Sequence, residues 1–266
     1  MSLPTRLAGV DFSGARAAGK AIWVAEGRRS DDGVIVERLT RGDALPGGGP
    51  AFEAALPALV EYVAGLGDCL AGFDFPFALP RSLIQQRTWS AFVDGFPAAY
   101  PDPEEFRASM RARTGGKELK RRTDTEAKVP WCAYNLRLYR QTWSGIACLL
   151  HPLVRDDRAR VVPMQEIAPG RPVIAEICPA SLLKREGLYV PYKGRGEDLS
   201  QSRATILMTL ARRGIVAPVR GKLRSDILDN AGGDALDAVL AMAGAARVDD
   251  PAPRDATDRI EARVYF

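Results

Sequence analysis

Five acidic residues stand where folding could bring them together for chemistry. Asp11, Asp74 and Glu176 each follow or interrupt an apolar run, in LAGVD, LAGFD and VIAE. Asp234 and Asp237 lie one helical turn apart at the start of the alanine-rich stretch DALDAVLAMAGAA. A buried carboxylate is costly unless a cation, a hydrogen bond or water accompanies it. Clustered carboxylates therefore favour a divalent metal, and their hard oxygen atoms suit Mg²⁺ or Mn²⁺.

Each acid also has a purely structural interpretation. An acid at a strand end can accept hydrogen bonds from the backbone amides of a turn. Asp234 and Asp237 also suit the first turn of a helix, where a carboxylate meets the positive end of the helix dipole. Their position argues for more, because helical spacing puts Asp237 on the edge of the apolar stripe and Asp234 one step further round. A helix packed on a sheet through that stripe would direct both acids toward the rim.

The composition disfavours other kinds of catalytic site. The 266 residues include one histidine, His151, which excludes an HExxH zinc site and disfavours a Ser-His-Asp triad. The scattered cysteines favour buried, reduced thiols over a disulfide scaffold or a zinc site. The net charge of +4 permits an anionic partner without requiring one. No stretch approaches the roughly 20 apolar residues of a membrane span, and no secretory signal opens the chain, so we expect a cytoplasmic protein without a membrane partner.

Hydrophobic patterning predicts the elements that must position these acids. Three early strands are expected in RLAGVDFSGA, KAIWVAEG and GVIVERLTRG, followed by a helix over 51–67 and a buried strand that ends at Asp74. A strand carrying Glu176 comes next, then a helix over SQSRATILMTLARRG, a last long helix over 225–247 and a closing strand in RIEARVYF. This order predicts one α/β domain over 1–266, with a mixed sheet flanked by helices. Residues 81–170 form a largely helical, basic insertion within it.

The insertion carries a charged run with two interpretations. Residues 107–128 hold eight Lys and Arg residues against three acids. The members expected to contact the phosphates of nucleic acid are Lys117, Lys120, Arg121 and Arg122. A charge run is usually a solvated face, and that alternative stays open.

Aromatic residues follow this run and could stack on nucleobases. Their helix-like spacing favours a place in the core instead. The residues concerned are Trp131, Tyr134, Tyr139 and Trp143.

An ordered set of segments resembles the DUF429 family, whose members are predicted nucleases with a ribonuclease H-like fold. The segments are GVDFSGA, GFDFPFALP, EICPASLLKREGLYVPYKG and DALDAVLAMAGAA. The likeness runs over most of the chain and is least clear in the insertion. It implies a five-stranded mixed sheet, its first three strands antiparallel, with Asp11 on the first strand and Asp74 at a second strand end. The pair Asp234 and Asp237 is similar to the DxxD pair that closes the metal site of Holliday-junction resolvases, although Gly233 stands where an adjacent acid is common.

The resemblance implies a nuclease that uses two Mg²⁺ or Mn²⁺ ions and acts on DNA or RNA. Asp11 would bridge the ions, and Asp74 and Asp237 would each complete one of them. Asp234 or Glu176 would position the attacking water, and Glu176 is alternatively a structural acid. The products would carry 5′-phosphate and 3′-hydroxyl ends.

Two other functions stay open at this point. The first is a non-catalytic ribonuclease H-like scaffold that binds nucleic acid or protein without cleaving it. The second is a nucleotide-binding protein related to actin and the sugar kinases, for which DFSGAR and GGDA are loose matches to phosphate-binding and nucleotide-binding loops. That superfamily uses two copies of the fold, whereas this chain carries one strand-Asp-Gly hairpin.

Overall fold

A mixed seven-stranded sheet forms the centre of the computed structural model, which describes residues 3–266. Strands β1 (Arg6–Asp11), β2 (Trp23–Ser30) and β3 (Gly33–Arg41) form an antiparallel meander. The remaining strands are β4 (Cys69–Phe73), β5 (Arg160–Val162), β6 (Val173–Ile177) and β7 (Val264–Tyr265). Strand β4 pairs in parallel with β1 and β6, and β6 pairs in parallel with both β5 and β7. The predicted α/β class with a mixed sheet is confirmed.

Twelve α-helices of the described chain connect or flank these strands. They are α1 (Ala18–Ala21), α2 (Phe52–Ala64), α3 (Trp89–Ala99), α4 (Pro103–Arg113), α5 (Arg122–Glu126), α6 (Tyr139–Ser144), α7 (His151–Arg155), α8 (Pro179–Arg185), α9 (Glu197–Arg212), α10 (Gly221–Asp229), α11 (Asp234–Ala245) and α12 (Asp258–Glu261). A π-helical segment, Gly145–Leu150, joins α6 to α7. None of the helices within residues 3–266 is both long and apolar enough to cross a membrane.

Both faces of the central strands are buried, so alternate residues of β1 and β4 enter different hydrophobic cores. On one face, Ala8, Val10 and Phe73 pack with α2 and with helices of the insertion. On the other, Leu7 and Leu70 pack with α8, α9 and α11. Two covered faces explain why β1 and β4 are apolar almost throughout, as central strands of such sheets are.

The structure differs from the predicted elements in the number of strands. Strand β5 lies inside the insertion and has three residues, too few to show an alternating pattern. Strand β7 is the predicted closing strand, shortened to Val264–Tyr265. Together they extend the sheet beyond the five strands that the resemblance implies.

The predicted helix over 225–247 is two helices, α10 and α11, separated at 230–233. Gly233 breaks the helix because it adopts a left-handed conformation with φ +79°, which favours glycine. The side chain of Asn230 accepts a hydrogen bond from the Ala235 amide at 3.1 Å and so satisfies one free donor at the start of α11. Gly233, and not Asp234, is the N-cap residue. Helix α9 also begins earlier than predicted, at Glu197 instead of at a serine.

Helix α11 lies directly against the backbone of two central strands. A Cβ atom added at Gly9 of β1 would stand 2.1 Å from the carbonyl oxygen of Ala238. One added at Gly72 of β4 would stand 2.5 Å from the carbonyl oxygen of Ala241. Both distances are far below van der Waals contact, so only glycine permits this approach. The contact brings the start of α11 to the ends of the strands that carry the predicted acids.

Candidate functional site

A cavity of about 640 Å³ opens at the carboxyl ends of β1, β4 and β6. Parallel strands end at one edge of a sheet, and the loops that leave them diverge and open a crevice. All five acids that the sequence singled out line this acidic pocket: Asp11, Asp74, Glu176, Asp234 and Asp237. The loop between α8 and α9 closes one side with Tyr192 and Lys193.

Asp11 and Asp74 face the pocket from neighbouring strand ends. Asp11 is the last residue of β1 and is 8 % exposed, and Asp74 follows β4 directly. Its amide donates to the carbonyl of Val10, which holds the two chain segments side by side. Within residues 3–266, no hydrogen bond or ion pair reaches the carboxylate oxygens of either residue, although Gln141 donates to the backbone carbonyl of Asp74. Both carboxylates are therefore available to a ligand.

Asp237 is buried, and each of its two carboxylate oxygens has a partner. Its Oδ1 accepts a hydrogen bond from the Tyr192 hydroxyl at 2.6 Å. Its Oδ2 lies 2.5 Å from the Nζ of Lys193. Sequence reasoning missed Lys193, which belongs to the segment VPYKG within the stretch that resembles the family. A single lysine in a loop carries no pattern of its own, and only the fold shows that it enters the acidic pocket.

The pocket concentrates negative charge that the protein does not fully neutralise. Burial raises the pKa of Asp11 well above its usual range, and the carboxylates of Asp237 and Asp74 raise it further. Burial, followed by the Asp237 carboxylate, raises the pKa of Asp74 to about 7. The Lys193 ammonium opposes both shifts without cancelling them. The arrangement favours a cation, because a positive ligand would relieve the repulsion between these acids.

Replacing Asp74 with Asn is expected to stabilise the fold at pH 8. Because the pKa of Asp74 rises from 3.8 to about 7 on folding, the native state binds this proton more tightly than the unfolded chain does. Ionisation of Asp74 therefore lowers the free energy of unfolding as the pH increases from about 4 to about 7, and the loss persists above pH 7. Asn has no proton to lose. Urea unfolding at several pH values should show an advantage for Asp74→Asn at pH 8 that shrinks toward pH 4.

Asp32→Asn replaces an exposed acid and is the matched control. Its stability relative to the parent chain should not change with pH in this way. An advantage of Asp74→Asn that is the same at every pH would contradict the assignment.

Glu176 belongs to a separate buried network. Its Oε1 lies 2.5 Å from the guanidinium of Arg121, and its Oε2 accepts from Arg121 at 2.8 Å and from the Phe77 amide at 2.9 Å. Arg121 also binds Asp124 through Nε and through a terminal nitrogen. These contacts satisfy the Glu176 carboxylate within the fold. These contacts fit the second interpretation of Glu176, a structural acid, better than a role in positioning the attacking water.

Two of the four basic residues expected to contact phosphates are paired with acids of the chain. Arg121 is buried in the network with Glu176, contrary to the expectation that it contacts phosphates. Arg122 forms ion pairs with Asp255 and Asp258. Lys120 is exposed and donates to the Val129 carbonyl, and Lys117 is exposed. Folding therefore pairs Arg121 and Arg122 with acids and leaves Lys117 and Lys120 exposed.

Three of the four aromatic residues of the insertion pack in or against the core, and one is exposed. Tyr134 and Tyr139 are buried, as their spacing predicts. Trp143 is partly buried, and its indole nitrogen donates to the Tyr100 carbonyl at 2.7 Å. Trp131 differs from this prediction, because it is 37 % exposed and lines the acidic pocket.

Carboxylate oxygens are suitable ligands for a hard divalent cation. These carboxylates, however, are not arranged around a common position where such a cation would bind. Across the described chain, no group of three or more His, Cys, Asp and Glu side chains is arranged to hold a metal ion. Asp237, the expected third ligand, is bound to Lys193 and Tyr192 instead. In this arrangement the Lys193 ammonium pairs with Asp237 and opposes the raised pKa values of Asp11 and Asp74.

Comparisons of the chain with protein-family models, with curated proteins and with solved structures give no significant match. The acidic pocket and the sequence segments that form it are therefore the features that bear on function.

Proposed function

We propose that the protein is a nuclease with a ribonuclease H-like fold and that the acidic pocket is its active site. One observation carries the proposal: Asp11, Asp74 and Asp237 converge on one pocket from three different elements, and two of them have no protein partner. Structural acids at strand ends and helix starts are normally satisfied by nearby backbone amides. Unpaired, mutually repelling carboxylates are instead typical of sites whose ligand brings positive charge.

The sheet supports this fold assignment. Its first three strands are antiparallel, as the resemblance implies, and the fourth pairs in parallel with the first. The first-strand acid that the family resemblance implies, Asp11, ends β1, and Asp237 of the resolvase-like pair lies in the first turn of α11. The strands β5 and β7 lie at the far edge, away from these acids.

Mg²⁺ or Mn²⁺ is the cofactor that we propose for this reaction. Bound to carboxylates, such an ion lowers the pKa of a water molecule and stabilises charge on a phosphoryl oxygen. The described residues do not fit a metal site in their present placement, because Asp237 faces Lys193. Asp11 and Asp74 are the two carboxylates that are free to act as ligands. Asp234, at the first position of α11, also lines the pocket and is partly exposed.

Lys193 and the metal are expected to compete for Asp237. Replacing Lys193 with Met removes the ammonium while keeping an unbranched side chain of similar length. Asp237 then keeps only its bond to Tyr192, and the pocket gains one unit of negative charge. We expect calorimetric titration of the Lys193→Met variant to show Mn²⁺ affinity increased by at least roughly tenfold, since one close charge pair contributes between about 1 kcal/mol in water and about 4 kcal/mol near a protein surface.

Two variants control this titration. Lys222→Met removes a lysine that pairs with Asp226 on α10 and should leave the affinity unchanged. Asp11→Asn should weaken the binding. Equal affinity of the Lys193→Met variant and the parent chain would show that the two cations do not share Asp237.

The nuclease proposal is tested with end-labelled oligonucleotides. Single-stranded, duplex and branched DNA and RNA are incubated with the protein in Mg²⁺, in Mn²⁺ or in EDTA. We expect metal-dependent cleavage that leaves 5′-phosphate and 3′-hydroxyl ends. Binding of these substrates without cleavage in either metal would overturn the nuclease proposal and favour the scaffold, the second candidate.

The scaffold function has one observation in its favour. Lys193 already neutralises Asp237, so the pocket contains an ion pair even without a metal. A chain that binds no Mn²⁺ under any of the conditions above would fit this second candidate.

A further inference from the structure

Exposed apolar side chains concentrate at the mouth of the acidic pocket. Within residues 3–266, the large hydrophobic residues that are at least one-third exposed are Leu119, Trp131, Leu136, Tyr189, Val190 and Met208. Three of these six, Trp131, Tyr189 and Val190, line the acidic pocket. Single exposed apolar residues are ordinary, but a group at the mouth of one pocket marks a binding surface. We call Trp131, Tyr189 and Val190 the apolar rim.

Two separate chain segments build the apolar rim. Trp131 belongs to the stretch between α5 and α6, within the insertion, and Tyr189 and Val190 follow α8. Each aromatic ring carries a cation on its face. The guanidinium carbon of Arg137 lies 5.3 Å from the Trp131 ring centroid, and the Lys184 Nζ lies 5.0 Å from that of Tyr189. The rings are therefore held beside positive charge at the edge of a negatively charged cavity.

Arg137 differs from the other cationic residues that line the acidic pocket. Its side chain is exposed and lines the same pocket. Three cationic residues line this pocket, and among the ion pairs of residues 3–266 none involves Arg137, whereas Arg121 pairs with Glu176 and Lys193 pairs with Asp237. An unpaired guanidinium beside an aromatic ring suits a ligand with a flat ring and an attached anion, because the ring stacks and the anion pairs with the guanidinium.

We infer that the apolar rim binds an unpaired nucleobase, so that the substrate is single-stranded or locally unpaired nucleic acid. The inference rests on the proposed nuclease function. A base can stack on Trp131 or Tyr189 only after it leaves its own helical stack, since a duplex hides the faces of its bases. The cavity of about 640 Å³ lies in the range of pockets that enclose small molecules. The base would lie at the rim, and the adjoining phosphate would lie between Arg137 and the acids.

The test measures binding in EDTA, where the proposed metal-dependent cleavage cannot occur. A fluorescein-labelled oligothymidylate and a duplex of the same length are titrated with the full chain, and anisotropy reports affinity. We expect the single strand to bind at least tenfold more tightly than the duplex. Trp131→Ala and Tyr189→Ala should each weaken single-strand binding by roughly tenfold, the scale of one base–aromatic stack.

Matched variants separate stacking from a general loss of apolar surface. Met208→Ala removes an equally exposed apolar side chain on α9, outside the pocket, and should bind like the parent chain. Trp131→Phe keeps an aromatic face and should retain most of the affinity. Arg137→Gln should lower the slope of the logarithm of affinity against the logarithm of salt concentration by about one, the contribution of one phosphate contact.

The outcomes distinguish this inference from the nuclease proposal. Duplex binding as tight as single-strand binding, or full affinity in Trp131→Ala, would overturn the inference even if the protein cleaves nucleic acid. Rim-dependent binding of the single strand without cleavage in Mn²⁺ would support the inference and overturn the proposed function.

Discussion

Asp11→Asn is expected to reduce metal-dependent cleavage of nucleic acid by roughly a hundredfold or more, the scale on which single electrostatic contributors act in active sites. Asn has nearly the same shape as Asp but carries no charge. Asp11 is the last residue of the central strand β1. It lies beside Asp74, and helix α11 packs against the same strand. Its replacement therefore removes the charge at the middle of the acidic pocket while the surrounding strands keep their positions.

Loss of activity must be separated from loss of structure. Burial and the neighbouring carboxylates raise the pKa of Asp11, so its ionised form weakens the fold. The Asn variant should accordingly unfold at the same urea concentration as the parent chain at neutral pH, or at a higher one. Asp32→Asn changes an exposed turn and should keep full activity. Undiminished cleavage by a pure Asp11→Asn preparation would exclude the pocket as the catalytic centre.

Arg121→Met is expected to lower the free energy of unfolding by about 3–5 kcal/mol, the usual result of removing one partner from a buried ion pair. Arg121 is 1 % exposed and joins Asp124 of α5 to Glu176 of β6. Met fills a similar volume but leaves two buried carboxylates without a cation. Urea denaturation followed by circular dichroism measures the change.

Two comparisons make this result specific. Arg28→Met breaks an ion pair with Glu37 in which both side chains are about half exposed, and it should cost less than about 1 kcal/mol. Adding Asp124→Asn and Glu176→Gln to Arg121→Met removes the unpaired charges and should restore part of the lost stability. A loss in Arg121→Met no greater than that in Arg28→Met would show that this network contributes little to the fold.

The sequence located the acids of the pocket well because the signal is local. Asp11 and Asp74 end apolar strands, and such strands end together at one edge of a parallel sheet. The spacing of Asp234 and Asp237 places both at the start of one amphipathic helix. For these residues, a few neighbours along the chain determine the position.

The partners of the acids could not be predicted, because they depend on long-range contacts. Arg121 meets Glu176 across 55 positions of sequence, and within its own charged run it resembles a solvated residue. Lys193 reaches Asp237 from a loop without regular structure. The break between α10 and α11 depends on the left-handed backbone of Gly233, although the glycine pair at 232–233 was a visible local signal.

At two points of contact, backbone atoms and not core side chains set the distance between α11 and the strands β1 and β4. At Gly9 and Gly72 the main chains touch without an intervening side chain, so atomic radii set the offset between Asp11 and Asp237. We expect substitutions that alter core volume elsewhere to disturb this contact less than a side chain added at either glycine would. Combinatorial libraries that spare these two glycines should therefore vary the core widely while the two carboxylates keep their separation.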